Sequence, residues 1–195
     1  MIMQNKQSIY QTDVFEKLFC YVKIMSNCGQ YTDTYDRLNI NFKKDSAYRI
    51  FADHMRTCII AIFDGAEFDC NKRGFILRKI FRRLLMNYYL YLNNCNITPL
   101  TKHHIMNALI TEILNFQLFK VHNADKIKEI LYKEEMMYIG KIYKLKNKYN
   151  SLIKNKNGQD VINSFLNQID NFKMTYGVDK EIIEHIGDII FNDIA

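Results

Sequence analysis

The sequence predicts an all-α chain, a helical bundle, on three observations. A single proline and seven glycines among 195 residues leave few obligatory breaks. Apolar residues recur at three- and four-residue spacing along most of the chain, the signature of helices with one buried face. Helix start and stop signals, such as Asp64-Gly65 and Thr98-Pro99, punctuate those stretches. The 48% apolar content is enough for a substantial core, and the length suits one domain or one elongated helical body over residues 1–195.

In order, residues 1–11 read as an extended lead-in. Thr12 or Asp13 caps a helix to about Asn27, with Val14, Phe15, Leu18, Phe19, Val22 and Met25 inward. From Cys28 to Lys44 the periodicity breaks at Gly29, Asp33, Asp36, Asn39 and Asn41, a loop whose aromatics Tyr31, Tyr35 and Phe42 serve as anchors rather than base-stacking platforms. A helix capped by Asp45 or Ser46 ends at Asp64-Gly65, with Arg49 and Asp53 spaced to pair. A basic helix over 72–89 follows. Asn93 to Ile97 is a turn, and Thr98-Pro99 starts a helix to about Val121. Within it His103 and His104 diverge, which makes them poor joint metal ligands. The 12–122 segment gives way to a long helix from about Ala124 to Ile153, a linker at Asn155–Gly158, a helix from Gln159 to Phe172, a turn at Tyr176-Gly177 and a closing helix from Asp179 to Phe191.

The basic helix carries the densest positive cluster. At 3.6 residues per turn, Lys72, Arg78, Lys79, Arg82 and Arg83 share an arc of roughly 140°. Ile76, Leu77, Ile80, Phe81, Leu84, Leu85 and Tyr88 fill the opposite arc. No Asp or Glu lies between Asp69 and Glu112. A solubilising face normally interleaves both signs, so a polyanion-binding surface and a plain solvated face are both open. A second one-signed run, Lys141, Lys144, Lys146, Lys148, Lys154 and Lys156 with Tyr138, Tyr143 and Tyr149 interleaved, leaves the same two readings open.

Net charge is +6 with a pI near 8.9, compatible with an anionic partner. The five cysteines form no C-x-x-C pair, and an odd number forbids a complete intramolecular disulfide set. Free thiols in a reducing compartment follow. With no secretory signal and no apolar run of membrane-spanning length, the expected setting is the cytoplasm, without membrane association. It is a host's cytoplasm if the abundance of Asn, Lys, Ile and Tyr reflects a parasite or large virus. No Gly-rich phosphate loop, metal cluster or nucleophile–base set is present, so neither catalysis nor a cofactor is expected.

The central block resembles alanyl-tRNA synthetase: YRIFADHMRT at 48–57, Asp64-Gly65, and RGFILRKIFRR at 73–83. Upstream, QNK at 4–6 and SIYQTDVF at 8–15 are similar to the junction where the family's catalytic domain ends. Downstream, ILYKEE at 130–135 resembles the start of its long helix, and TYGVD at 175–179 its D-T-Y-G-F-P-x-D segment. The resemblance is to the family's helical tRNA-recognition region, without the aminoacylation or editing sites. It implies a non-catalytic protein that grips the acceptor stem of alanine tRNA, or tRNA-like RNA, through Arg49, Arg56, Asn71, Lys72, Arg73, Arg78, Lys79, Arg82 and Arg83. The family's two readers of the G·U wobble pair, an Asn and an Asp, fall here on Cys70 and Met174, which supply neither hydrogen bond. Reduced or redirected wobble selectivity is expected, with Asn71 close enough to substitute for the Asn. Two alternatives are a module that mimics synthetase surface to engage a synthetase-associated protein, and the tRNA-binding subunit of a split synthetase.

Overall fold

The structure is a computed structural model that describes residues 4–116, 124–153, 169–178 and 180–192. Seven α-helices account for most of them: α1 (Asp13–Met25), α2 (Phe42–Phe63), α3 (Lys72–Asn87), α4 (Met106–Phe116), α5 (Ala124–Ile153), α6 (Ile169–Tyr176) and α7 (Lys180–Asn192). No strand occurs among the described residues, so the fold is all-α. The chain forms two compact units, Met1–Glu135 and Met136–Ala195.

In the first unit, α2 and α3 pack against each other and α1 and α4 pack on α2. The expected inward faces form the core: Phe15, Leu18, Phe19, Val22 and Met25 from α1, and Phe81, Leu84 and Leu85 from α3 are all buried. Each such large side chain contributes about 1.5–3 kcal/mol. Ile76 departs from expectation. It sits at the edge of the apolar arc, beside Arg83, and stands 59% exposed. The chain leaves α2 where predicted, with Gly65 at φ 90° and its N–H bonded to Ile62 O. Gly74 lets the turn return close to α3, since a Cβ there would meet Glu67 O and Asp69 Cβ at 2.6 Å.

Three starts differ from the sequence reading. The lead-in holds a 3₁₀ turn at Ile9–Gln11. Helix α2 begins at Phe42, not after Asp45. Asp45 is fully buried and accepts instead from Thr32 N, Thr32 Oγ1 and Thr34 N of the preceding loop. Thr98-Pro99 opens only a 3₁₀ turn, Leu100–Lys102, and α4 starts at Met106. The cause is Glu135, whose carboxylate takes the N–H groups of Leu100 and Thr101 and the Thr101 hydroxyl. His103 and His104 therefore lie in a turn, with rings stacked at 4.5 Å, not on a helix where they would diverge. The expected end of α4 at Val121 lies outside the described residues.

Beyond α3 the backbone widens into one π-helical turn, Tyr88–Leu92, closed by Asn93 N to Tyr88 O. This keeps Tyr88, Tyr89 and Leu92 all buried. It also gives both phenols acceptors: Tyr88 Oη donates to Met25 O, and Tyr89 Oη to Glu135.

In the second unit, α5 continues from Met136 with Tyr138, Ile139, Ile142 and Leu145 buried, and α6 and α7 bury Ile169, Phe172, Ile182, Ile183 and Ile186. Lys144, Lys146 and Lys148 are exposed, as is Tyr143. Lys154, Lys156, the Tyr149 side chain and the predicted helix start at Gln159 lie outside the described residues.

Candidate nucleic-acid interface

Helices α2 and α3 run antiparallel. The Phe51 and Tyr88 rings meet at 5.9 Å, and Lys43 Nζ lies 5.7 Å over the Tyr91 ring. The start of α3, with Asn71 and Lys72, is thus at the opposite end of the pair from the start of α2.

The predicted basic arc divides in two. Arg78 and Arg82, on one flank, turn onto α5. Arg78 Nε donates to Glu134 at 3.1 Å, and Arg82 donates through Nε and Nη2 at 2.9 and 2.7 Å. Glu134 is 1% exposed and both arginine side chains are largely covered. Arg78 also donates to Cys70 Sγ and Phe68 O, which fixes the turn before α3. Burial works against the Arg78 charge, but Cys70 and Glu134 outweigh it and hold its pKa above the ordinary value. This flank is consumed by tertiary structure.

On the other flank, Lys72, Lys79 and Arg83 are exposed, and Arg73, about 100° round the helix from Lys72, is exposed too. Lys79 Nζ rests 4.4 Å over the exposed Phe75 ring, and none of the four makes an ion pair among the described residues. No acid occupies the first turn of α3, so the partial positive charge of the helix terminus adds to Lys72 and Arg73. Lys72 holds φ 50°, a left-handed backbone uncommon for a residue with a Cβ. Asn71 is extended and its amide is not used as a helix cap. It lines an open depression of about 620 Å³ with Glu67, Asp69, Lys72 and Arg73.

The other predicted contacts fare differently. Arg49 is 8% exposed, a burial incompatible with phosphate contact. Its guanidinium lies 4.3 Å from the Tyr35 ring and donates to Tyr31 Oη, Thr34 O and Ser46 Oγ. It does not pair with Asp53, which instead accepts from Tyr10 Oη at 2.6 Å. Burial first, and then Asp53, push the Tyr10 phenol up to about 12. Arg56 is half-buried over the Phe15 ring. Tyr31 is an anchor, packed on Phe19 at 4.4 Å and bonded to Asp33. His54 on α2 faces Arg83; burial, then that guanidinium, hold its pKa below the ordinary value against the opposing pull of Asp53. Of the two positions where the sequence resemblance led us to expect wobble readers, Cys70 is exposed in the first unit and Met174 is 87% exposed in the second.

Glu134 and Glu135 were not singled out by charge or spacing. Their signal is an interruption. They stand in the stripe Ile127, Leu131, Tyr138, Ile142, where an apolar residue is expected, and both are buried.

The profile of the tRNA synthetases class II (A) family matches residues 1–189, and the chain belongs to that family. Within it the relatives are alanine–tRNA ligases. That of Schizosaccharomyces pombe is 40% identical over 42% of this chain and 8% of its own length. That of Candida albicans is 33% identical over 70% and 14%, and that of Malacoplasma penetrans 28% identical over 97% and 20%. The chain thus corresponds to a region of alanyl-tRNA synthetase, and these matches span at most a fifth of the relatives' length.

Proposed function

We propose that this chain is a non-catalytic RNA-binding module, in a reducing, cytoplasmic setting, that holds a tRNA acceptor stem or a similar RNA duplex against the exposed flank of α3. The observation that carries the reading is the line of Lys72, Lys79 and Arg83, exposed and without an ion pair among the described residues along one side of a rigid helix, with Arg73 exposed beside its start. A-form RNA is gripped mainly through phosphates and 2′-hydroxyls across its shallow groove. Arg78 and Arg82 act indirectly, by fixing α3 to α5, and Arg49 by fixing the loop ahead of α2. Cys70, held by Arg78, has no amide to offer a base pair, and Met174 has no carboxylate. Wobble selectivity is therefore reduced or moved to Asn71, whose amide has no hydrogen bond among the described residues.

The test is a titration of the protein with an alanine-tRNA acceptor hairpin, the same hairpin with G·C at the third pair, and an unrelated stem. Similar, salt-sensitive affinities are expected for all three. A tenfold preference for the G·U hairpin overturns the loss of selectivity. K79E/R83E should weaken every hairpin by about a hundredfold and flatten the salt dependence by about two charges. The covering of Arg78 and Arg82 and the side chains of Cys70 and Met174 favour a second reading, a protein-interaction module that mimics synthetase surface. Salt-insensitive or absent RNA binding by the wild type would select it.

A further inference from the structure

Beside the cationic line of α3 stands a titratable group from α2. The Phe51 and Tyr88 rings, in contact at 5.9 Å, fix the register of the two helices. His54 lies three residues along α2 from that contact, and Arg83 five residues back from it on the other side. Because the helices are antiparallel, both steps run in the same direction. At about 1.5 Å of rise per residue, the two levels differ by roughly 3 Å. His54 and Arg83 are therefore neighbours across the pair.

The fold uses neither side chain. No hydrogen bond or ion pair engages the His54 ring or the Arg83 guanidinium among the described residues. His54 is half-buried and Arg83 is exposed. Asp53, next to His54 in the chain, accepts from Tyr10 Oη at 2.6 Å. Its pull on the imidazole is outweighed by burial and by the push of Arg83, so His54 is neutral at neutral pH. Two donors that repel each other when both are charged gain from an anion placed between them. A phosphate oxygen there accepts from the guanidinium and from an imidazole N–H, and both hydrogen bonds are charge-assisted when His54 is protonated. Lys79, one turn before Arg83, and Lys72, two turns before Lys79, carry the line onward along the same side of α3.

We infer that His54 and Arg83 together seat one backbone phosphate of the RNA held by α3, with His54 joining as a cation when protonated. This rests on the RNA reading above and adds to it a consequence: binding takes up a proton. The bound phosphate favours the imidazolium, so the His54 pKa rises in the complex. Affinity therefore climbs as pH falls through the histidine range and levels off once the free protein is protonated too. A phosphodiester stays singly negative over that range, so the dependence belongs to the protein.

The test uses the full chain, wild type and H54Q, with the acceptor hairpin at pH 7.5 and pH 5.5 and constant ionic strength. Glutamine keeps a side-chain N–H and cannot charge. Between the two pH values the wild type should gain about tenfold more affinity than H54Q, and its salt slope should steepen by about one charge. Circular dichroism melts at both pH values verify the fold of the variant. In the wild type alone, an NMR pH series should show the His54 ring titrating about one pH unit higher when RNA is saturating, with the exposed His104 unmoved. If wild type and H54Q gain alike, or the His54 titration stays in place while RNA is bound, the phosphate-seat inference fails and the RNA reading stands. If the wild type shows no salt-sensitive RNA binding at either pH, both fail. If H54Q weakens binding equally at both pH values, His54 only supports the helix pair and the inference is overturned.

Discussion

Helix α3 presents two cationic pairs, each spaced by four residues, in opposite circumstances. Arg78 and Arg82 converge on the buried Glu134, 56 and 52 residues away in sequence. Lys79 and Arg83, one residue further along, meet solvent, an aromatic ring and a half-buried histidine. The difference is one helical step of about 100°. On the covered flank, positive charge is a structural element, because a desolvated guanidinium requires its carboxylate. On the open flank, positive charge adds nothing to the core and is free to meet an anion.

The sharpest way to break the comparison is at Glu134. Glu134→Ala leaves two largely covered guanidinium groups facing each other without an acid, and should cost about 3 kcal/mol of stability in urea unfolding. Lys79→Ala with Arg83→Ala should stay within about 0.5 kcal/mol of wild type. Equal losses in the two variants would erase the distinction between the flanks.

Next in size is Gly74, where the turn bearing Cys70 and Asn71 meets α3. Gly74→Ala places a methyl 2.6 Å from Glu67 O, a backbone atom that cannot swing aside. A loss of about 2 kcal/mol is expected, together with chemical-shift changes at Asn71 and Lys72. A stable variant with an undisturbed turn would show that the close approach is dispensable.

The smallest effect concerns His54. Its pKa is depressed in the folded chain, by burial and then by Arg83. The unfolded chain therefore binds the proton more readily. The contribution to stability is complete above the unfolded value of about 6.5 and is lost as pH falls below it. Arg83→Ala should move the His54 titration upward in an NMR pH series, while Arg78→Ala should move it far less. Coincident titrations in the wild type and Arg83→Ala would place Arg83 away from α2.

Much of this molecule was legible in its residues. The inward faces of α1 and α3, the stop at Asp64-Gly65, the span of α5 and the family all follow from periodicity, caps and motif order, because those depend on neighbours a few residues apart. The late start of α4 was not legible, because the carboxylate that holds Leu100 and Thr101 lies 35 and 34 residues downstream. Arg49 was misread for a related reason. Its spacing from Asp53 suggested a pair, but three tyrosines folded over it from the lead-in and the loop.

The amino-acid order alone determined that α3 is a cationic helix in an alanyl-tRNA synthetase-like chain. Only the tertiary structure decided which of its charges remain available. Compensation of charge is a sum over space, and a search along one helix cannot see a glutamate supplied by another. The acid-free interval from Asp69 to Glu112 is a property of the sequence, whereas the neutralised half of its arginines is a property of the packed fold.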